Sequence, residues 1–172
     1  MVLGWLMLYR LNEWFFETLV FSERVSWVFL PAALRMLAVL AAGWVGALGI
    51  FVGSLITAGY SDVVYDAPTV LVLAGLSALS PVLALLVGAR AFGIKPNLEG
   101  LQAGQLIGLS VLVAAFAAVL HSAGFMLLGL STGLADSLLP MFVGDLLGTL
   151  LVLYLARLLI NVWLSRHRGA AS

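Results

Sequence analysis

Cysteine and charge are the two things this sequence most clearly lacks. It has no cysteine, which excludes disulfides, thiolate catalysis and cysteine-ligated metals. Charged residues make up 9% of the chain and the formal net charge is +0, so no basic stripe exists to neutralise nucleic-acid phosphates. Metalloprotease, hydrolase and P-loop motifs are also missing, and His121 and His167 are predicted to lie at opposite faces of the domain. We therefore expect no enzymatic activity, no metal, no cofactor and no nucleic-acid partner.

Apolar residues are what the chain has in excess. They form 63% of its 172 residues, and the mean hydropathy is +1.17. Soluble globular proteins are nearer 45–50% apolar, so the composition indicates an integral membrane protein. No stretch is polar enough to form a second, soluble domain, and 1–172 is predicted to be a single transmembrane domain. The acidic Glu13 and Glu17 interrupt the first apolar run, so we expect no cleavable signal peptide.

The apolar runs predict an all-α integral membrane protein, a compact polytopic bundle of six or five transmembrane helices. A crossing takes about 20 apolar residues. Residues 25–60 are too long for one crossing, and Gly43 is the predicted break. His121, Ser122 and Gly124 are the predicted site of a bend or exit in the fifth run. The predicted spans are 2–21, 25–42, 44–60, 67–89, 101–130 and 137–164.

The first of these runs leaves two alternatives open. Arg10, Glu13 and Glu17 fall on one helical stripe, which suits either a helix lying in the membrane interface or a spanning helix with its stripe turned toward its neighbours. The distribution of loop charges predicts the orientation, because basic loops stay inside. It places both termini on the cytoplasmic side of a bacterial inner membrane. Four basic residues then face in, Arg90, Lys95, Arg166 and Arg168, against one, Arg24, facing out, and the loops that carry Asp62, Asp66 and Asp136 face out.

Arg35 and Asp145 are the most informative charges. An arginine alone in hydrocarbon costs about 2.5–3.5 kcal/mol on insertion scales, so Arg35 needs a partner. At about 1.5 Å per residue, Asp145 and Glu13 fall at the same depth, and Asp145 is the first-choice partner. The predicted intramembrane cluster comprises Arg35, Asp145, Glu13, Glu17 and Arg10. It serves either as a structural ion pair that fixes helix register or as a ligand site, and the sequence leaves both open.

Small residues and tryptophans carry weaker signals. Gly49 with Gly53, and Gly144 with Gly148, have the spacing that lets helices approach closely in membranes. Three tryptophans near span ends, Trp5, Trp27 and Trp163, are predicted to be interfacial anchors. His121, at the outer end of its run, is expected to meet water.

Two stretches carry a resemblance to a known family. "FLPAALRMLAVLAAGWVGALGIFVGSLI" resembles the opening of the MASE-type integral membrane sensor domain of bacterial signalling proteins, although the family's Pro-Ala-Gly reads Pro31-Ala32-Ala33 here. "PMFVGDLLGTLLVLYLARLL" is similar to the family's closing segment, in which Gly-Asp-x-x-Gly opens the last span. Members usually have about eight spans and an output domain. The resemblance implies a truncated, stand-alone, sensor-like module that binds a ligand or a membrane signalling partner through the intramembrane cluster.

A second resemblance, and one further class, remain open. A six-span chain of this length, with its Pro140…Gly144-Asp145 segment, is similar to the substrate-binding S-components of energy-coupling-factor vitamin transporters. That resemblance implies a small-molecule ligand at Arg35 and Asp145. The third alternative is an accessory subunit that packs against a larger membrane complex. The expected partners are the lipid bilayer, another membrane protein and, in the first two cases, a small molecule.

Overall fold

The described residues form five helices and one short pair of antiparallel strands. The computed structural model describes residues 1–16, 20–22, 25–60, 64–95, 98–131 and 133–169. The helices are α1 (Val2–Phe16), α2 (Pro31–Ala58), α3 (Ala67–Ala91), α4 (Ala103–Leu127) and α5 (Ala135–Gly169). Strands β1 (Val20–Ser22) and β2 (Val25–Ser26) pair antiparallel between α1 and α2. Helices therefore dominate as the sequence predicts, and the short hairpin was not predicted.

α2 reverses direction at Gly43. This glycine has φ +53° and ψ −127°, a conformation open to glycine and strained for other residues. A Cβ added at Gly46 would overlap the carbonyl oxygen of Ala38, although residues eight apart in a straight helix are separated by about 12 Å along its axis. α2 is thus two antiparallel arms, a first arm (31–42) and a second arm (44–58), and the predicted break at Gly43 is where the chain turns.

The predicted start of the first arm at Val25 is wrong. Residues 25–26 form β2, and the helix begins at Pro31. Proline suits the first helical position because its fixed φ is helical and its missing N–H has no intrahelical acceptor there. The first arm therefore has 12 residues and is about 18 Å long, shorter than the hydrocarbon core. The end of β2 and irregular chain therefore precede Pro31, where helix was predicted.

α3, α4 and α5 form an antiparallel set. Ser77 of α3 meets His121 of α4, and a Cβ on Gly88 would approach Leu109, so the two helices run in opposite directions. α4 is helical through the predicted bend near His121 and ends at Leu127, so the bend is wrong. A hydrogen bond from Ser137 to Ser122 joins the start of α5 to the end of α4.

α1 packs along α2. Its Met1 lies at Gly49, Trp5 lies at Gly53, and the Arg10 guanidinium lies 4.7 Å from the ring centre of Tyr60. Residue numbers rise together along the two elements, so α1 runs parallel to the second arm. The predicted end of this helix at residue 21 is wrong, because α1 ends at Phe16 and residues 20–22 form β1.

Within the part of the chain that the structure describes, four helices are long and apolar enough to cross a membrane. They are Pro31–Ala58, Ala67–Ala91, Ala103–Leu127 and Ser137–Arg166. Many large apolar side chains on their outer faces are exposed, as lipid-facing surfaces require. The chain is therefore a helical membrane protein in contact with the bilayer. This count by length treats the two arms of α2 as one helix and leaves out α1, so neither six nor five crossings is established by it.

Candidate functional site

Arg35 and Asp145 meet in the middle of the bundle. Arg35 Nη1 donates a hydrogen bond to Asp145 Oδ2 at 2.7 Å, and the two side chains are 3% and 2% exposed. Arg35 lies on the first arm of α2, and Asp145 lies ten residues into α5. Arg35 Nε is buried and has no hydrogen-bond partner among the described residues. The structure thus brings together the two residues that the sequence put first, and it leaves one guanidinium donor unsatisfied.

Two aromatic rings lie against the guanidinium. Arg35 Cζ is 4.9 Å from the ring centre of Phe29 and 5.9 Å from that of Trp5. The two rings meet edge to face, with centres 6.4 Å apart. Cation–π attraction is strongest where water is excluded, as it is here. Trp5 is 3% exposed, so its prediction as an interfacial anchor is wrong; it lies in the core beside the ion pair.

The segment 26–30, which precedes α2, packs against the glycine face of α5. Phe29 N–H donates to the carbonyl oxygen of Gly144 at 3.0 Å. A Cβ on Gly144 would overlap the carbonyl oxygen of Ser26, and one on Gly148 would overlap that of Phe29. The predicted helix-packing glycines therefore admit the close approach of a backbone that is not part of a helix. Non-helical chain at membrane depth is tolerated where protein satisfies its polar groups, and Gly144 supplies one partner here.

Asn12, which was not among the predicted site residues, provides a hydrogen-bond acceptor for the segment 26–30. Asn12 Oδ1 of α1 accepts a hydrogen bond from Leu30 N–H at 2.8 Å. This N–H precedes the first turn of α2 and has no helical acceptor. An amide in an apolar helix was the available signal, because buried polar groups in membranes normally need a partner. Asn12 thus ties α1 to the start of the helix that carries Arg35.

The remaining predicted cluster residues lie elsewhere. Glu13 pairs with Arg10 at 3.0 Å on the exposed side of α1, so its prediction as a second partner of Arg35 is wrong. The two lie three positions apart on one helix and satisfy each other locally. Arg10 also lies over Tyr60. Glu17 is outside the described residues.

A second polar contact zone lies between α3, α4 and α5. His121 is 5% exposed, with Nδ1 3.0 Å from Ala117 O and Nε2 3.1 Å from Ser77 Oγ. Because Ala117 O can only accept, Nδ1 carries the proton and Nε2 accepts from the serine. The expectation that His121 meets water is wrong. α4 continues past His121 and packs its side chain inward.

The segment 26–30 and the first arm of α2 contact α5 at two adjacent residues. The Gly144 carbonyl accepts a hydrogen bond from the segment's backbone, and Asp145 pairs with Arg35 of the arm that follows. A displacement of the segment 26–30 would therefore strain both of these contacts with α5. Since a buried charge left without its partner is costly, the arrangement resists partial separation.

Comparison with protein families identifies the family of this chain. The MASE1 family matches residues 6–172, which covers both arms of α2, the Gly144–Asp145 segment and all of α3 and α4. The chain belongs to the MASE1 family of membrane-associated sensor domains. This MASE1 chain is accordingly a multi-pass membrane domain. No curated protein and no solved structure matches it.

Proposed function

We propose that this MASE1 chain is a non-enzymatic sensor module of the bacterial inner membrane, in which Arg35 and Asp145 couple a stimulus in the outer half of the bilayer to α5. The stimulus is a small ligand or a membrane partner that acts on the segment 26–30 or on the aromatic rings around Arg35. The buried 2.7 Å ion pair between the first arm of α2 and α5 is the observation that carries this proposal.

The second part of the proposal is that α5 carries the response. All residues from 154 to 166 are exposed, so this half of the helix extends away from the other described elements. Its outer half holds Gly144 and Asp145, where the segment 26–30 and Arg35 are bound. If the packed half of α5 shifts or rotates, its exposed half moves with it. A protein in contact with the exposed half would then be displaced as well. A signalling partner in the membrane would read that movement.

We further propose six crossings with both termini in the cytoplasm. α1 runs parallel to the second arm of α2, and the two arms are antiparallel, so the chain alternates direction from α1 to α5. Three of these passes, α1 and both arms of α2, are shorter than the roughly 20 residues of a normal crossing. The bilayer would thin locally around them, at a modest cost per ångström.

Sensing and transport make different demands on the pair. A transporter S-component would require a vitamin-type ligand to be held at Arg35, with Asp145 as a ligand contact. Here Arg35 Nη1 and Asp145 Oδ2 are engaged with each other. This mutual engagement and the family match favour the sensor over the transporter component and over a passive accessory subunit.

The test compares the wild type with Arg35→Gln/Asp145→Asn, a neutral pair that can keep a hydrogen bond between the same positions. Both proteins are purified in lipid nanodiscs and screened by thermal shift against fractionated membrane extract, with mass spectrometry of co-purifying proteins and small molecules. A ligand at a hundredfold excess over its Kd stabilises by about 2.7 kcal/mol. We expect stabilisation or partner recovery with the wild type alone. Equal responses from two equally folded proteins would contradict the proposal.

A further inference from the structure

α1 buries a smaller share of its residues than α2, α3 and α4. It buries one of its 15 residues, Trp5, whereas α4 buries ten of 25. Its outward apolar residues, including Leu3 at 82% and Met7 at 65% exposure, face the surroundings of the bundle. Elements with few buried contacts open at lower free energy than the core of the same protein. α1 is therefore the described helix most easily displaced as a unit.

The contacts that hold α1 converge on the surroundings of Arg35. Trp5 lies against the guanidinium, and its Nε1 donates to Thr57 Oγ1 at 3.3 Å. Asn12 accepts from Leu30 N–H, at the start of the arm that carries Arg35. Displacement of α1 would remove an aromatic ring from the cation and a partner from Leu30 N–H together. Closure of α1 and the environment of the ion pair are thus physically linked.

We propose that α1 is a displaceable cover over the Arg35–Asp145 pair, with Trp5 as the side chain that closes it. In the closed position Trp5 excludes lipid from one side of Arg35. In the open position the cation faces the bilayer, and the balance between the two positions regulates the pair. This inference rests on the proposed function only for the claim that the movement regulates signalling. The movement itself needs no stimulus and no output partner.

Gly53 offers a way to open the cover without touching either charge. A Cβ at this position would lie 2.7 Å from Trp5 Cγ and 2.8 Å from Cδ1. Real Cβ atoms do not approach so closely, and the added methyl belongs to the packed second arm of α2. Gly53→Ala should therefore push Trp5, and α1 with it, away from Arg35. Gly75→Ala is the matched control, because a Cβ there meets nothing within 4 Å.

A second pair of variants removes the closing ring itself. Trp5→Ala deletes the buried indole, and Trp14→Ala deletes an indole of the same helix that is 76% exposed. The first should open α1, and the second should leave its position unchanged. The comparison separates the loss of this contact from the general effect of a large-to-small substitution in α1.

The absence of cysteine permits site-specific spin labelling without background. Labels at Met7→Cys on α1 and Leu127→Cys on α4, both exposed positions, report the distance between the two helices in nanodiscs by pulsed electron paramagnetic resonance. We expect one main distance in the wild type, and a several-fold increase of a population at a different, longer distance in Gly53→Ala and Trp5→Ala. The controls should match the wild type.

Two outcomes would overturn the cover. One is an unchanged distance distribution in Gly53→Ala and Trp5→Ala, which would mean that α1 is fixed. The other is a longer distance accompanied by loss of amide protection throughout α3 and α4, which would mean global unfolding. Hydrogen exchange on the same samples separates these cases, because cover opening raises exchange at Leu30 and leaves α3 and α4 protected. A mobile cover in a chain that binds nothing would leave this inference standing and refute the proposed function.

Discussion

Arg35 and Asp145 are 110 positions apart in the chain and form a 2.7 Å ion pair that excludes solvent almost completely. Asp145 follows Gly144, whose carbonyl oxygen accepts a hydrogen bond from Phe29 N–H. Breaking either contact would leave a polar group buried without a partner, which is costly in hydrocarbon. The start of α2 and the outer half of α5 are therefore expected to behave as one unit.

A double-mutant cycle tests this unit. Arg35→Ala and Asp145→Ala should each destabilise the folded protein by about 3–5 kcal/mol, because each leaves an unpaired buried charge. The double variant should recover part of the loss, which gives a coupling energy of opposite sign to the single effects. Unfolding in mixed micelles, followed by circular dichroism, measures all four proteins. Strictly additive losses would mean that the side chains do not stabilise each other.

The exposed pair of α1 supplies the control for that cycle. Arg10 and Glu13 are 3.0 Å apart, with side chains 59% and 41% exposed. Exposed ion pairs are worth about 0–1 kcal/mol, so Arg10→Ala, Glu13→Ala and their double variant should change the free energy of unfolding little. A loss as large as that of Arg35→Ala would show that charge removal in general, rather than burial of the pair, governs the measurement.

The glycine face of α5 gives a second prediction. A Cβ at Gly148 would overlap the carbonyl oxygen of Phe29, and this backbone atom cannot rotate away. Gly148→Ala should destabilise by about 1–3 kcal/mol, the usual range for overpacking, despite a better helix propensity. Gly104→Ala in α4 meets nothing within 4 Å and should be neutral or stabilising by up to about 1 kcal/mol. Thermal unfolding in detergent compares the two. Equal shifts of the same sign would contradict the packing of the segment 26–30 on α5.

Asn12 is predicted to hold the start of α2 in place. Its loss in Asn12→Ala leaves Leu30 N–H without an acceptor in a buried site, which should cost about 1–3 kcal/mol. Hydrogen exchange should show faster exchange at Leu30 with little change in α3 and α4. Asn161→Ala, at an exposed position of α5, is the matched control and should leave both stability and exchange unchanged. Unaltered exchange at Leu30 in Asn12→Ala would mean that this hydrogen bond contributes nothing.

The composition and the predicted membrane depth of the charged residues were enough to predict the fold class and the central ion pair. The apolar content required a helical membrane protein, and the cost of an isolated ion at matched depth paired Arg35 with Asp145. Gly43 was identified from span length, and the chain turns there. These inferences succeed because hydrocarbon penalises unpaired charges and limits helix length, whatever the details of packing.

Tertiary contacts decided what the sequence could not. The stretch 26–30 is as apolar as a helix, yet α2 begins only at Pro31, and Gly144 and Gly148 admit the backbone of the preceding residues against α5. Trp5 has the position of an interfacial anchor, yet glycine at position 53 of the second arm leaves room for its ring. The position of Glu13 in its predicted span indicates the depth of Arg35, yet Trp5 is the α1 residue that lies against Arg35, and Glu13 pairs with Arg10. Each error came from a partner distant in sequence or from a local pair that depth alone does not reveal.

Topology is open to direct measurement. Six passes with a positive-inside orientation predict that a green fluorescent reporter is active, and a periplasmic phosphatase reporter inactive, at both termini. A phosphatase inserted after Tyr60, between the second arm of α2 and α3, should be active, and one inserted after Glu99, between α3 and α4, should be inactive. Phosphatase activity at the C-terminus would reverse the orientation. Activity at the N-terminus alone would mean that α1 does not cross, and that its parallel contact with the second arm forms entirely within the outer half of the bilayer.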